Sequence, residues 1–106
     1  MSDLEDTLAA QLTLLGIPFE REVRLIPGRR WRWDFVVHGA TGGYAVECQG
    51  GLWTHGAHTT GVGVTRDIDK ANALVTQTPY RCLYVTAPMI ESGVAAQMIE
   101  RLVGRG

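Results

Sequence analysis

The sequence predicts an α/β fold in which helices flank a mixed central sheet, in the order α-β-β-β-α-β-α. Three patterns predict it: a leucine repeat at helical spacing near the N-terminus, two segments that alternate apolar and polar residues, and helical repeats on either side of a short apolar run in the second half. The chain has 106 residues, enough for one hydrophobic core but not for two, so we expect a single domain over residues 1–106.

The first element is expected to be a helix over Ser2–Leu15. Glycine follows its end and proline comes two residues later, which is a common way for a helix to stop. Its buried stripe is expected to consist of leucines at helical spacing, namely Leu4, Leu8, Leu12 and Leu15.

Three strands follow, and the short connections between them predict an antiparallel meander. They are expected at Phe19–Ile26, Trp31–Val37 and Tyr44–Gln49, with a turn at Pro27-Gly28 and a loop at His38–Gly43.

Alternation assigns the side chains of the second and third strands to faces. In the second strand the apolar residues share one face and the polar residues the other: Trp31, Trp33, Phe35 and Val37 against Arg32 and Asp34. In the third strand, Glu47 and Gln49 point to the same side. The two strands therefore each present a carboxylate.

The second half is expected to begin with a glycine-rich loop over Gly50–Gly63. A helix at about Thr65–Thr76, a strand at Tyr80–Thr86 and an amphipathic helix at Ile90–Val103 follow. The buried stripe of the first of these helices is expected to be Ile68, Ala71 and Val75. Because a helix intervenes, the last strand is free to lie parallel to the third.

Composition and termini predict a cytoplasmic, intracellular protein. No segment approaches the roughly 18 apolar residues of a membrane span, and the acidic N-terminal segment lacks the basic start of a signal peptide. The two cysteines, Cys48 and Cys82, lie in apolar runs and are expected to be small core residues.

Basic residues are concentrated in one part of a chain whose net charge is −1. Five of the ten fall within residues 21–32, namely Arg21, Arg24, Arg29, Arg30 and Arg32. A local basic patch on a near-neutral protein is typical of phosphate binding. A charged hairpin that is simply solvated is the alternative.

Asp34 and Glu47 are carboxylates within apolar strands, where a charge is costly unless something pairs with it. On adjoining strands they would lie about 5 Å apart and repel by roughly 3 kcal/mol at an effective dielectric near 20. A divalent cation removes that repulsion, and oxygen ligands with open positions favour Mg²⁺. The alternative is that both carboxylates are structural. Asp34 would then pair with Arg32 or another arginine, and Glu47 would cap a strand edge.

A helix with a glutamate, a strand with an aspartate and a strand end with a further glutamate together resemble the core of the PD-(D/E)xK nucleases. The chain is most similar to the small Holliday-junction-resolvase-like and phage-encoded members, and the resemblance covers nearly all of it. Its most specific parts are Arg30–Phe35 and Val46–Asn72, which includes Asp67, Lys70 and Asn72 in a D-x-x-K-x-N pattern.

The resemblance implies a restriction-endonuclease-like fold and an Mg²⁺-dependent DNA endonuclease, with Mn²⁺ as a substitute. It further implies a homodimer that acts on branched DNA, such as a four-way junction. Asp34 and Glu47 would bind the metal, with Glu5 in support. Gln49 stands where the motif has lysine, and Lys70, the only lysine in the chain, is the candidate replacement. An i,i+3 ion pair of Lys70 with Asp67 is the alternative.

His58 and His55 lie in the glycine-rich loop after the third strand and are candidates to contact the DNA backbone or assist proton transfer. Histidines that are simply exposed to solvent are the alternative. Trp53, in the same loop, is a candidate to wedge at a junction or to pack at a dimer interface. Three other readings remain open: another DNA-processing or nicking nuclease of the same fold, a degenerate module that only binds DNA, and a structural protein with ion-paired carboxylates.

Overall fold

The structure is a computed structural model that describes residues 3–49 and 61–104, and for residues 61–66 the backbone alone. The helices and strands, in chain order, are α1 (Asp3–Leu14), β1 (Glu20–Val23), β2 (Trp33–Gly39), β3 (Gly42–Cys48), α2 (Gly61–Gln77), β4 (Arg81–Val85), α3 (Ala87–Glu91) and α4 (Val94–Leu102). The predicted loop residues Trp53, His55 and His58 lie outside the described part of the chain.

The four strands form one mixed sheet in the order β1-β2-β3-β4. Strands β1, β2 and β3 pair antiparallel, and β4 lies parallel to β3 after the crossover through α2. The predicted meander and the parallel last strand are therefore confirmed, as is the general α/β class.

Helices cover both faces of the sheet, and each face has its own hydrophobic cluster. On one face, α1, α3 and α4 pack on the larger cluster, which includes Leu8, Leu12 and Phe35. On the other face, Leu74 of α2 packs with Trp33. The predicted leucine stripe of the first helix is confirmed, because Leu8 and Leu12 are fully buried and the flanking leucines pack against the same cluster.

The predicted alternation of the second strand is wrong at Trp33. Trp33 packs on the α2 face, whereas Phe35 packs on the α1 face, although their spacing predicts one face. The irregularity coincides with Glu22, which lies opposite Asp34 in the β1–β2 pair and has a left-handed φ of 55°. A residue in this conformation interrupts the regular pleat of β1, at the level where the side chains of β2 change faces.

The β2–β3 connection is tighter than the predicted loop over residues 38–43. Gly39 pairs with Gly42, which leaves Ala40 and Thr41 as a two-residue turn. A side chain at Gly43 would not fit, because a Cβ there would lie 2.5 Å from the ring of Tyr80.

Helix α2 begins earlier than predicted and buries a different face. It starts at Gly61, so the end of the predicted loop is helical. Ile68 and Val75 are 52% and 58% exposed, whereas Leu74 is fully buried. Apolar residues occur on two faces of this helix, and contact with Trp33 on the sheet selects the face that carries Leu74.

The predicted final helix is interrupted and becomes α3 and α4. Thr86 caps α3, since its side-chain oxygen accepts a hydrogen bond from the Met89 N–H (3.4 Å). Gly93, with φ of 87°, then separates the two helices. A left-handed residue cannot continue an α-helix, and glycine adopts that conformation without strain.

Cys48 and Cys82 are unpaired thiols, each half-buried against one of the two clusters. Burial raises the pKa of Cys48 to about 12, with the nearby carboxylates adding to the shift. The prediction that they are small core residues agrees with these positions. Among the helices of the described residues, none is long and apolar enough to cross a membrane.

Candidate active site

Asp34 and Glu47 lie side by side where β2 and β3 diverge. The last pair of the ladder is Phe35 with Val46, and the next residue on each strand is a carboxylate. The Asp34 N–H donates to Glu47 Oε1 (3.2 Å), and the Cys48 N–H donates to Asp34 Oδ2 (2.7 Å). These side-chain contacts take the place of ladder hydrogen bonds and fix both carboxylates, which the sequence predicted to be neighbours.

Lys70 reaches this pair from α2. Its Nζ donates to Glu47 Oε2 and to the Arg32 carbonyl oxygen, both at 2.6 Å, and it lies 4.7 Å from the centre of the Trp33 ring. The side chains of Lys70 and Glu47 are only 16% and 15% exposed. Within the described part of the chain, the ion pair of Lys70 is with Glu47 and not with Asp67.

A second group of carboxylates adjoins Asp34 on the α1 side. Glu5 of α1, Glu22 of β1 and Asp34 each place an oxygen atom within 4.8 Å of the others. Glu5 was a predicted supporting residue, but the sequence analysis missed Glu22. A signal was present, because Glu22 stands on a strand that pairs with the strand of Asp34, yet only the register places the two opposite each other.

Burial is the main cause of altered acidity in this site. It raises the pKa of Glu5, Asp34 and Glu47. At Asp34 the hydrogen bond from Cys48 opposes the rise in pKa, and at Glu47 the hydrogen bond from Lys70 does so. At Glu5 the charges of Asp34 and Glu22 raise the pKa further. The surroundings therefore disfavour the negative charges that the cluster carries at neutral pH.

The residues present fit a hard divalent cation. Carboxylates outnumber cationic side chains here: Lys70 pairs with Glu47, and Arg21 is shared between Glu5 and Asp6, while Asp34 and Glu22 lie beside them. A divalent cation bound to these carboxylates would reduce the excess negative charge. Carboxylate oxygens are also the ligands that such ions prefer. Asp34 belongs to both groups of carboxylates, so it is the residue most suited to bind the ion.

The arginines of the predicted basic patch have different surroundings. Arg21 contacts Glu5 (3.5 Å) and Asp6 (3.2 Å), so its charge is largely balanced within the protein. The remaining four are exposed on the segment that leads from β1 into β2, namely Arg24, Arg29, Arg30 and Arg32. The Arg29 guanidinium lies over the ring of Trp31, 3.8 Å from its centre.

Gln49, which the sequence analysis expected at the position of the motif lysine, directly follows β3. Its N–H donates to the Val85 carbonyl oxygen (2.7 Å), which extends the β3–β4 pairing by one residue, and the residue is half-buried. Among the described residues, the ammonium group beside Glu47 therefore comes from α2 and not from β3.

Comparisons of the chain with protein-family models, with curated proteins and with solved structures find no match. What the site can do therefore follows from its own side chains. Clustered carboxylates with one ammonium group can bind a cation and, through it, a phosphate. Such a set is suited to hydrolytic chemistry on phosphate esters.

Proposed function

We propose that the protein is a metal-dependent DNA endonuclease that hydrolyses phosphodiester bonds, with four-way junctions as its substrate. The observation that carries this proposal is the contact of Lys70 Nζ with Glu47 Oε2 at 2.6 Å, beside Asp34. It joins two strand carboxylates and an ammonium group in one half-buried site. The core of the PD-(D/E)xK nucleases, which the chain resembles, combines the same three groups.

Asp34 and Glu47 are the proposed metal ligands, with Glu5 in support and Glu22 as an added candidate. A bound Mg²⁺ would polarise the phosphate and lower the pKa of a bound water. Lys70 holds the Glu47 carboxylate in place and presents a positive charge to the phosphate oxygens. The Cys48 N–H keeps the Asp34 carboxylate in a fixed orientation.

The main structural alternative is a set of internal ion pairs without a ligand. Lys70 neutralises Glu47, and Arg21 is shared between Glu5 and Asp6. That leaves Asp34 and Glu22 close together without an equal number of cations among the described residues. Because the negative charge of the exposed Glu22 is unfavourable beside the half-buried Asp34, a role in cation binding explains the arrangement better than a structural role.

Exposed arginines adjacent to the site support DNA as the substrate. Arg32 contributes its carbonyl oxygen to Lys70, so its exposed side chain begins at the edge of the site, and the exposed Arg30 lies two residues before it. Positive charges at this place can hold the phosphates next to the scissile bond. His58 remains a proposed contact. One site cuts one strand, so paired cuts in a junction require two copies, and we propose a homodimer acting in the cytoplasm.

A degenerate module that binds DNA without cutting is the second candidate, and Gln49 is the observation that favours it. The motif lysine is absent from β3. The position of Lys70 at Glu47 favours an active enzyme, since the same charge reaches the same carboxylate from another element.

The test is cleavage of a labelled four-way junction and of a linear duplex of the same sequence, with Mg²⁺, with Mn²⁺ and with EDTA. The proposal expects paired, metal-dependent cuts at the junction. Binding without cutting in every metal would establish the degenerate module. Equal cutting of both DNAs would keep the nuclease and remove the preference for junctions.

A further inference from the structure

A groove of about 410 Å³ adjoins the candidate site, between the β1–β2 connection and α2. Its volume lies in the range of roughly 300–1,000 Å³ that small-ligand sites occupy. Two of its residues are sequence neighbours of the site: Asp69 precedes Lys70, and Trp31 precedes Arg32, whose carbonyl oxygen binds Lys70. The walls of the groove are therefore continuous along the chain with the residues at Lys70.

One wall of the groove carries a cation–π contact between two side chains. The guanidinium of Arg29 lies 3.8 Å from the ring centre of Trp31. Trp31 is half-buried and Arg29 is exposed, so this pair is accessible from solvent. Planar cations and aromatic rings are the surfaces on which proteins stack nucleobases.

The opposite wall, on α2, presents polar groups that match the edge of a base. Asn72 and Gln77 line the groove with exposed side-chain amides, which make no hydrogen bond within the described part of the chain. Each amide offers both donors and an acceptor, and base edges combine donors and acceptors in the same way. The carboxylate of Asp69 on the same wall disfavours a phosphate in the groove and accepts hydrogen bonds from an exocyclic amino group.

We propose that this groove binds one unpaired nucleobase of the DNA, stacked on Arg29 and Trp31 with its edge against Asn72. The inference rests on the proposed function for the identity of the polymer and deepens it. An unpaired base beside the scissile phosphate occurs where strands part, so the groove would select the branch point of a substrate over continuous duplex. The arginines outside the groove then hold the backbone on either side.

The experiment measures binding of three four-way junctions in EDTA by fluorescence anisotropy. One is fully paired, one has a single unpaired thymine at the branch point, and one has an abasic residue in its place. Wild type should bind the junction with the unpaired base about 5- to 150-fold more tightly than the abasic one, the range expected for stacking of one base. The ratio of the two affinities separates the contribution of the base from that of general electrostatic attraction to DNA.

Variants locate the effect in the groove. Arg29→Ala and Asn72→Ala should each reduce the ratio, and Trp31→Phe, which keeps an aromatic surface, should retain more of it than Arg29→Ala. Matched controls on α4, Arg101→Ala and Gln97→Ala, remove an exposed residue of the same type elsewhere and should leave the ratio unchanged. Equal affinity of wild type for the base and the abasic site, or an unchanged ratio in the groove variants, would overturn the inference.

The outcomes also separate this inference from the proposed function. Metal-dependent cleavage without a base preference would overturn the proposed base binding in the groove and would support the nuclease. A base preference that the groove variants lose, in a protein that never cleaves, would support the groove and overturn the nuclease. Absence of affinity for all three junctions would overturn both.

Discussion

Lys70 Nζ lies 2.6 Å from Glu47 Oε2, so a lysine on α2 and a glutamate on β3 form one half-buried ion pair. The same ammonium donates to the Arg32 carbonyl oxygen just before β2. The lysine therefore ties the helix to both strands that provide the central carboxylates. This contact brings a positive charge from α2 to the carboxylate of Glu47.

Replacing Lys70 by alanine should reduce junction cleavage by about 10²- to 10³-fold, the scale of losing one preorganised charge contact. It should also lower the free energy of unfolding by about 1–3 kcal/mol, because Glu47 loses its partner in a half-buried site. Single-turnover cleavage and urea unfolding measure the two effects. Lys70→Arg should recover part of both, and Arg81→Ala, an exposed residue on β4, should change neither. Unaltered cleavage in Lys70→Ala would exclude its part in the reaction.

Replacing Asp34 by asparagine should stabilise the metal-free protein at neutral pH. Asparagine keeps an oxygen to accept the Cys48 N–H but removes a charge from the carboxylate cluster. Thermal unfolding in EDTA should show a higher melting temperature for the variant. Addition of Mg²⁺ should raise the melting temperature of wild type and not that of the variant, because binding to the folded state stabilises it. A destabilised variant in EDTA would contradict the proposed repulsion.

The difference in stability between Asp34→Asn and wild type in EDTA should change with pH in a defined direction. Burial raises the pKa of Asp34 above its ordinary value of 3.8, so the folded state holds this proton more tightly than the unfolded state. Stability from this group is present below the unfolded pKa and is lost as the pH rises through the folded pKa. The advantage of Asp34→Asn in EDTA should therefore be small near about pH 4 and grow toward about pH 7. Unfolding measured at several pH values tests this prediction. A stability advantage of Asp34→Asn that shrinks with rising pH would contradict it.

DNA affinity should depend on salt through the exposed arginines outside the groove, Arg24, Arg30 and Arg32. Arg21 is already paired with Glu5 and Asp6, so it should contribute little. Three phosphate contacts predict a decrease in affinity of roughly fortyfold for a fourfold rise in salt. Anisotropy titrations in EDTA measure the slope, and Arg24→Ala should reduce it by about one unit while Arg21→Ala reduces it less. A flat salt response would contradict the phosphate contacts.

The fold was largely predictable because its strongest signals are local. The leucine spacing of α1 and the alternation in β3 each reflect one face packed on one core. The buried face of α2 was not predictable, because Ile68 and Val75 form as good a helical stripe as the residues that are buried. Only the contact of Leu74 with Trp33 across the sheet decides between the two faces.

The site was predictable where a strand or helix carries a residue that is unusual for its surroundings in the sequence. Asp34 and Glu47 stood out as charges in apolar strands, and Lys70 as the only lysine. Glu22 was missed because its position depends on the β1–β2 register and on a left-handed backbone, neither of which has a local signal. The contact of Arg29 with Trp31 was also not predictable, since the irregular start of β2 places Trp31 with the smaller cluster and not on the face of Phe35 that the alternation predicts.

The assignment of the α2 faces gives a matched pair of stability measurements. Leu74→Ala should lower the free energy of unfolding by about 2–5 kcal/mol, because it opens a cavity in the smaller cluster. Val75→Ala, one position away and 58% exposed, should change it by less than about 0.5 kcal/mol. Urea unfolding of both variants measures the difference. Equal losses would show that α2 packs through the face that the sequence favoured.

The most direct test of the central claim is single-turnover cleavage of a labelled four-way junction with Mg²⁺ by wild type, Asp34→Asn and Arg101→Ala. The account predicts paired cuts by wild type and by Arg101→Ala. It predicts cleavage by Asp34→Asn slower by at least about 10²-fold, with junction binding in EDTA preserved. Cleavage by Asp34→Asn at the rate of wild type would contradict a metal site at Asp34, and the absence of cleavage by the folded wild-type protein would contradict the proposed nuclease.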